Sequence, residues 1–222
     1  PGWVRFAKSQ FPHMVKYLSS AKSPQQMFGT VMKTYFAQKL GVSSEQIFTV
    51  SIMPCLAKKG EQEMELFHGE YAGKDIDVVL TTGEFVKMIR AAHISPETLK
   101  NRESDRPMQE GTGAGVIFGA TGGVTEAAVR RIVADKSPKA LKDIEFIGTR
   151  GMAGTKICEL DLGERTVRIG IVSGLGNAEE LIKKIESGEE HFDFVEVMAC
   201  PGGCVAGAGQ PFARSTEKRL RA

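Results

Sequence analysis

Cys200 and Cys204 stand four apart in "EVMACPGGCVAGAGQP" (196–211), a stretch rich in glycine, alanine and proline. Thiolates are soft ligands, and close pairs in turn-rich loops are the usual means of holding a cluster of iron and sulfide. Glycines let the backbone approach such a cluster and point N–H groups at its sulfurs. Two ligands do not close a site, so others must come from elsewhere. Zinc fits less well, because its usual spacings need a second cysteine or histidine pair. His13, His68, His93 and His191 form no such pattern. The bland alternative is a pair of buried free thiols in a tight turn.

A third cysteine, Cys55, lies in "MPCLAKKGE" (53–61) just ahead of Lys58 and Lys59. Ammonium groups nearby stabilise a thiolate and can pair with an anionic ligand. Either lysine alone reads as an ordinary solvated charge. Cys158, in "TKICELDL", has no partner nearby and reads as a small buried hydrophobe. The glycine-rich "EGTGAGVIFGATGGVTEAAVRR" (110–131) invites a nucleotide-binding reading, but it matches neither G-x-G-x-x-G nor G-x-x-x-x-G-K-[ST]. A tight loop that permits close backbone approach, with Phe118 turned toward a cavity or core, is the better reading.

The elements that position these residues follow from periodicity. "VRFAKSQFPHMVKYLS" has apolar residues at helical spacing, interrupted by Pro12. "SPQQMFGTVMKTYFAQKLG" predicts a helix capped by Ser23, with Pro24 in its first turn and Gly41 at its end. "QIFTVSIMPC" and "DIDVVLTT" predict buried strands, and "GEFVKMIRAAHI" a helix after the second. "VTEAAVRRIVADK" predicts a helix with Thr125 as a possible cap. "IEFIGTRG", "RTVRIGIVSGLG" and "FDFVEVMAC" predict strands, with "NAEELIKKIESG" a helix between the last two. Residues 101–113 predict a polar surface loop. The alternation predicts an α/β fold, a mostly parallel sheet flanked by helices. Ligands in such sheets collect where strands end at their carboxyl side. Cys55 and Cys200 each follow a predicted strand, which puts them on one rim.

The bulk numbers exclude several classes. A net charge of +2 does not suggest nucleic-acid binding by charge alone. No apolar run reaches the ~18 residues of a membrane span, and the first residues, "PGWVRFAKSQ", have no signal-peptide pattern. Four unevenly spaced cysteines in 222 residues argue against a disulfide framework and for metal or redox chemistry in a cytoplasmic setting.

Taken together, "MPCLAKKGE" and "EVMACPGGCVAGAGQP" resemble the second and third signature motifs of the [FeFe]-hydrogenases, and "PGW" at 1–3 resembles the end of the first. "LSSAKSPQQMFGT" and "GTGAGVIFGATGGV" also resemble family sequence, so the likeness runs through essentially the whole chain. It implies one H-cluster domain over 1–222: a helical segment at 1–44 beside a cleft between lobes, an α/β lobe at 45–211, and a tail at 212–222. The implied cofactor is the H-cluster, a [4Fe–4S] cubane joined through a cysteine sulfur to a diiron centre with CO, cyanide and a bridging dithiolate.

By matching motif, the resemblance implies that Cys55, Cys200 and Cys204 bind the cubane and that Cys204 also bridges to the diiron site. It places the fourth ligand, and a proton-relaying cysteine before it, immediately ahead of Pro1, in a further segment or chain. Lys58 is implied to donate to a cyanide of the distal iron, and Met53 and Met198 to line the diiron pocket. Ser19 matches a hydroxyl of the proton relay. Ser23, Gln25 and Phe118 are implied pocket residues. The implied partners are H2 and protons, an electron carrier such as ferredoxin or an accessory iron–sulfur domain, and maturation proteins. Ala208 departs from the family's usual glycine, which is tolerable only where the backbone φ is negative.

Overall fold

The computed structural model describes residues 1–68, 73–108, 111, 113–136, 154–161 and 165–211. The chain divides into two units, one of residues 1–110 with 207–215 and one of 111–206 with 216–222.

The first unit opens with α1 (Gly2–Gln10), which ends before Pro12; a 3-10 turn (Pro12–Tyr17) follows. Next comes one long helical run: α2 (Pro24–Val31), a π-helical turn (Met32–Phe36) and α3 (Ala37–Leu40), closed by Gly41 at φ 69°. β1 (Val50–Met53) leads into the short α4 (Ala57–Glu61), and β2 (Val78–Thr81) into α5 (Thr82–Ala91). β1 and β2 pair in parallel with Val50 opposite Val78 and Ile52 opposite Leu80. Thr81 caps α5 in a reciprocal capping box with Glu84.

This unit places polar residues inside. Thr49 and Ser51 are buried, while their neighbours Phe48, Val50 and Ile52 are 70%, 51% and 44% exposed. Thr49, Ser51 and Lys33 find their partners among neighbouring inward groups. The Ser51 hydroxyl donates to Gln25 Oε1 at 2.7 Å. Lys33, buried under the π-turn, donates to the Ile47 carbonyl at 2.7 Å and pairs with Asp77 at 2.8 Å. Asp77 in turn accepts the Thr49 N–H at 2.6 Å and its hydroxyl at 2.9 Å. Burial pushes the Asp77 carboxyl upward, but the bonds from Lys33 and Thr49 outweigh it and hold the carboxyl below the usual range.

The second unit holds α6 (Gly113–Ile117) and α7 (Gly123–Lys136), then β3 (Thr155–Asp161), β4 (Thr166–Ser173), α8 (Leu175–Glu186) and β5 (Phe194–Met198). The sheet order is β3-β4-β5. β3 and β4 are antiparallel, as the short stretch between Asp161 and Thr166 dictates. The helical crossover through α8 makes β4 and β5 parallel. β4 is the central strand and is buried continuously from Ile169 to Ser173. Val129 of α7 packs with Ile169 and Ile171, and Cys158, Leu160 and Val167 pack against them.

Three expectations change. Among the described residues the strands form two sheets, and Cys55 and Cys200 follow strands of different ones. The sheets are mostly parallel, with β3 the antiparallel addition at a position where no strand was expected. Ser23 and Thr125 do not cap helices: the Ser23 hydroxyl bonds Glu61, and Thr125 lies inside α7, which starts at Gly123. The strand expected at "IEFIGTRG" and the tail at 212–222 lie outside the described residues.

Candidate iron–sulfur site

In the first unit, Cys55 is followed by a buried polar network. Pro54 ends β1, since proline cannot donate to the ladder, and Cys55 follows, half-buried, in the turn before α4. Met53 is the last residue of β1 and also half-buried. The turn is covered by 207–211: Gly209 N–H donates to the Pro54 carbonyl at 3.0 Å, and Gly83 N–H to the Gly209 carbonyl at 2.9 Å. A Cβ on Gly209 would lie 2.9 Å from the Pro54 carbonyl carbon and 3.0 Å from the Cys55 nitrogen. The backbone contact therefore excludes any side chain there. Ala208 has no positive φ, so its methyl is accommodated.

Three residues past Cys55, α4 turns Lys58 inward, where it is 9% exposed. Its ammonium lies 3.3 Å from Ser23 Oγ and 3.4 Å from Glu61 Oε2. Glu61 sits one helical turn on and is buried with it. The same carboxylate oxygen accepts the Ser23 hydroxyl at 2.9 Å and the Gln25 amide at 3.4 Å. Ser51 then holds the other end of Gln25. Five side chains from α2, β1 and α4 thus form one buried network about a paired charge, which is how a charge is kept in a dry interior. Ser19 lies outside this network. It is exposed in the turn before α2, and its hydroxyl accepts the Ala21 N–H at 3.2 Å.

In the second unit, β5 delivers the cysteine pair. Met198, its last residue, is buried, and its Sδ lies 3.8 Å from Cys204 Sγ. Cys200 and Cys204 are half-buried, and no described cysteine is in a disulfide. Between them the chain turns sharply: Gly203 N–H returns to the Cys200 carbonyl at 2.9 Å, with Gly203 at φ 107°. A Cβ on Gly203 would meet the Gly119 carbonyl oxygen at 2.4 Å. Both φ and space therefore require glycine here. Gly202 N–H donates to Ser173 Oγ at 2.9 Å, and Val205 N–H to the Gly119 carbonyl at 3.1 Å. The glycine-rich segment is thus a backbone wall for the cysteine loop. Phe118 is half-buried in the turn between α6 and α7.

The donor set fits an iron–sulfur group in type: the thiols of Cys55 and Cys200 just beyond strand ends, and that of Cys204 in the loop that follows, with soft methionine sulfur beside it. Among the described residues, no three Cys, His, Asp or Glu side chains gather into one metal-ligand set. Cys158 stands apart in β3. Burial, with Glu159 beside it, pushes its thiol upward and disfavours the reactive thiolate. Sequence reasoning missed Glu61 and Glu196. The first is visible as the i+3 partner of Lys58. The second is visible as a lone acid inside the apolar run "FVEVM".

The family model described as "Iron only hydrogenase large subunit, C-terminal domain" matches residues 1–208. The chain is similar to the NADP-reducing hydrogenase subunit HndD of Solidesulfovibrio fructosivorans, 46% identical over 96% of this chain and 36% of that protein. It is 31% identical to cytosolic iron-sulfur assembly component 3 of Rattus norvegicus, over 99% of this chain and 47% of that one. A solved structure of HydA(deltaEFG), which concerns stepwise [FeFe]-hydrogenase H-cluster assembly, superimposes with a TM-score of 0.81 at 35% identity. That match covers 100% of this chain and 63% of the other. The chain therefore spans less than half the length of the two curated relatives and 63% of the chain in the solved structure. No helix among the described residues is long and apolar enough to cross a membrane.

Proposed function

Because this chain belongs to the iron-only hydrogenase large-subunit, C-terminal domain family, we propose that it forms part of a hydrogenase catalytic core interconverting H2 with two protons and two electrons. The observation that carries this reading is the buried Lys58, held by Ser23 and Glu61 three residues beyond Cys55. An iron–sulfur cubane alone has no use for a buried ammonium, whereas cyanide ligands would accept its hydrogen bond.

In this reading Cys55, Cys200 and Cys204 hold the cubane of an H-cluster, and Cys204 also carries the link to the diiron centre. When bound, that cofactor supplies the electron transfer and the hydride chemistry. The protein supplies position and surroundings. Glu61 holds Lys58 with its protons directed by Ser23. Met53 and Met198 would give soft, adaptable walls, and Gln25 is fixed by Ser51. Phe118 would contribute apolar cover, and the exposed Ser19 hydroxyl would serve as a proton-relay group. Electrons would come from a ferredoxin or an accessory iron–sulfur domain.

The test is anaerobic reconstitution of the protein in its full-length context with iron and sulfide, then with a synthetic diiron complex. Infrared bands from CO and cyanide, together with H2 evolution from reduced methyl viologen, are expected. A second reading, cluster binding without hydrogen chemistry, draws on the assembly-component relative. It predicts a cubane EPR signal with neither infrared bands nor H2, and that outcome would overturn the first reading.

A further inference from the structure

Glu196 is one of few carboxylates in this unit buried on an apolar strand; it is 7% exposed and lies four residues before Cys200. Its Oε1 accepts the Gly122 N–H at 2.7 Å. Its Oε2 accepts the Thr125 N–H at 2.8 Å and the Thr125 hydroxyl at 2.6 Å. All three donors belong to the start of α7, where backbone N–H groups have no partner inside the helix. The cap that Thr125 does not provide comes instead from a strand about seventy residues away in sequence.

The segment just before these donors is the backbone wall of the cysteine loop. The Gly119 carbonyl accepts the Val205 N–H at 3.1 Å, and Thr121 N–H reaches the Gly202 carbonyl at 3.4 Å. Thr121 Oγ1 also lies 3.4 Å from Ser173 Oγ, the group that accepts Gly202 N–H. Residues 119–122 are therefore held on one side by Glu196 and hold residues 202–205 on the other. Gly203 has no spare space against Gly119, so a shift of this segment moves the turn between the two cysteines.

We infer that Glu196 is a positioning residue for the Cys200–Cys204 loop, acting through Gly122, Thr125 and the 119–122 backbone. Its purpose rests on the cluster reading proposed above, but its geometry does not. Gln keeps one accepting oxygen but places an NH2 against the donor on the other side, so Glu196→Gln breaks the two-sided clamp while nearly keeping volume.

The experiment is residue-resolved hydrogen exchange on the metal-free protein. In Glu196→Gln, exchange at Gly202 and Val205 should rise at least tenfold while Ile169 and Ile171 of β4 stay within twofold of wild type. Thr125→Val, which loses only the hydroxyl bond, should show a smaller rise at the same amides, and Thr125→Ser should restore the wild-type pattern. Uniform acceleration throughout the unit, or unchanged exchange at 202–205 in both Glu196→Gln and Thr125→Val, overturns the inference. Iron uptake on reconstitution is measured in parallel. Uptake by wild type and at least threefold less by Glu196→Gln supports the inference. Absence of uptake by wild type sinks the cluster reading alone, and the exchange pattern still decides the role of Glu196.

Discussion

The amide of Gly209 donates to the carbonyl of Pro54 at 3.0 Å, which fastens the end of the two-cysteine motif onto the turn carrying Cys55. Residues 207–211, about 150 residues further along the sequence, thus close over that turn within the first unit. Side-chain chemistry at 209 can only harm this contact. Gly209→Ala should destabilise the protein by about 1–3 kcal/mol, as overpacking against fixed backbone does, and speed alkylation of Cys55. Ala208→Gly, at a residue with ordinary φ, should change stability by less than about 1 kcal/mol. Urea denaturation and mass-resolved iodoacetamide labelling would check both.

Lys58 and Glu61 should behave as a coupled buried pair. Removing either partner leaves a charge without its counterpart, which costs about 3–5 kcal/mol in buried pairs. Lys58→Met and Glu61→Leu should each approach that range, while the double variant should cost far less than their sum. A double-mutant cycle by chemical denaturation measures the coupling. Additive effects would remove the pair from the account of the site.

Acid should weaken the first unit by a definite route. The Glu84 carboxyl is lowered to about 2 by the bond from Lys59 and by the Thr81 N–H and hydroxyl. Asp77 is also lowered, since Lys33 and Thr49 overcome its burial. Folded values below the unfolded ones mean that the stabilisation is full only above roughly pH 5, just over the unfolded carboxylate range. It is then lost as pH falls through the folded values. The urea midpoint should therefore decline between about pH 5 and pH 2. Asp77→Asn and Glu84→Gln should each flatten that decline, and an unchanged slope in both would refute the assignment.

The cysteines should separate cleanly. Cys200→Ser and Cys204→Ser should each reduce iron bound after reconstitution, and Cys204→Ser should abolish attachment of a diiron complex. Cys158→Ser should leave iron unchanged while costing about 1–3 kcal/mol, because a hydroxyl replaces sulfur against Val129, Ile169 and Ile171. Its raised thiol should also be the slowest of the four to alkylate at neutral pH. Iron analysis and labelling kinetics give both readouts.

What could be read from the residues beforehand was local. β1, β4 and β5 are mostly apolar, β-branched runs that stop at Pro54, Gly174 and Ala199, so the strand ends ahead of Cys55 and Cys200 were plain. Gly41 marked a helix end by its own conformational preference, and the structure places it there at φ 69°. What failed depended on distant partners. Ser23 and Thr125 look like caps by position, yet Glu61 and Glu196 take their hydroxyls. A local propensity of about 1 kcal/mol yields readily to a buried carboxylate that needs donors. β3 was missed because "TKICELDL" alternates weakly, and its strand character comes from pairing with β4. The split into two sheets was invisible because periodicity assigns faces to strands but not neighbours.

The outward-facing side chains of β1 carry one more lesson. Phe48, Val50 and Ile52 form an exposed apolar row on a strand pair that, among the described residues, has no third member. Such a surface is adhesive: it offers open ladder groups and oily contact area at once. Unless another polypeptide or segment shields it, this chain should self-associate as its concentration rises, and light scattering should follow protein concentration steeply. Ile52→Lys should suppress that scattering without disturbing Ser51 and Gln25 on the opposite face. Preparations of this chain would then be limited by stickiness before they are limited by oxygen or by metal supply.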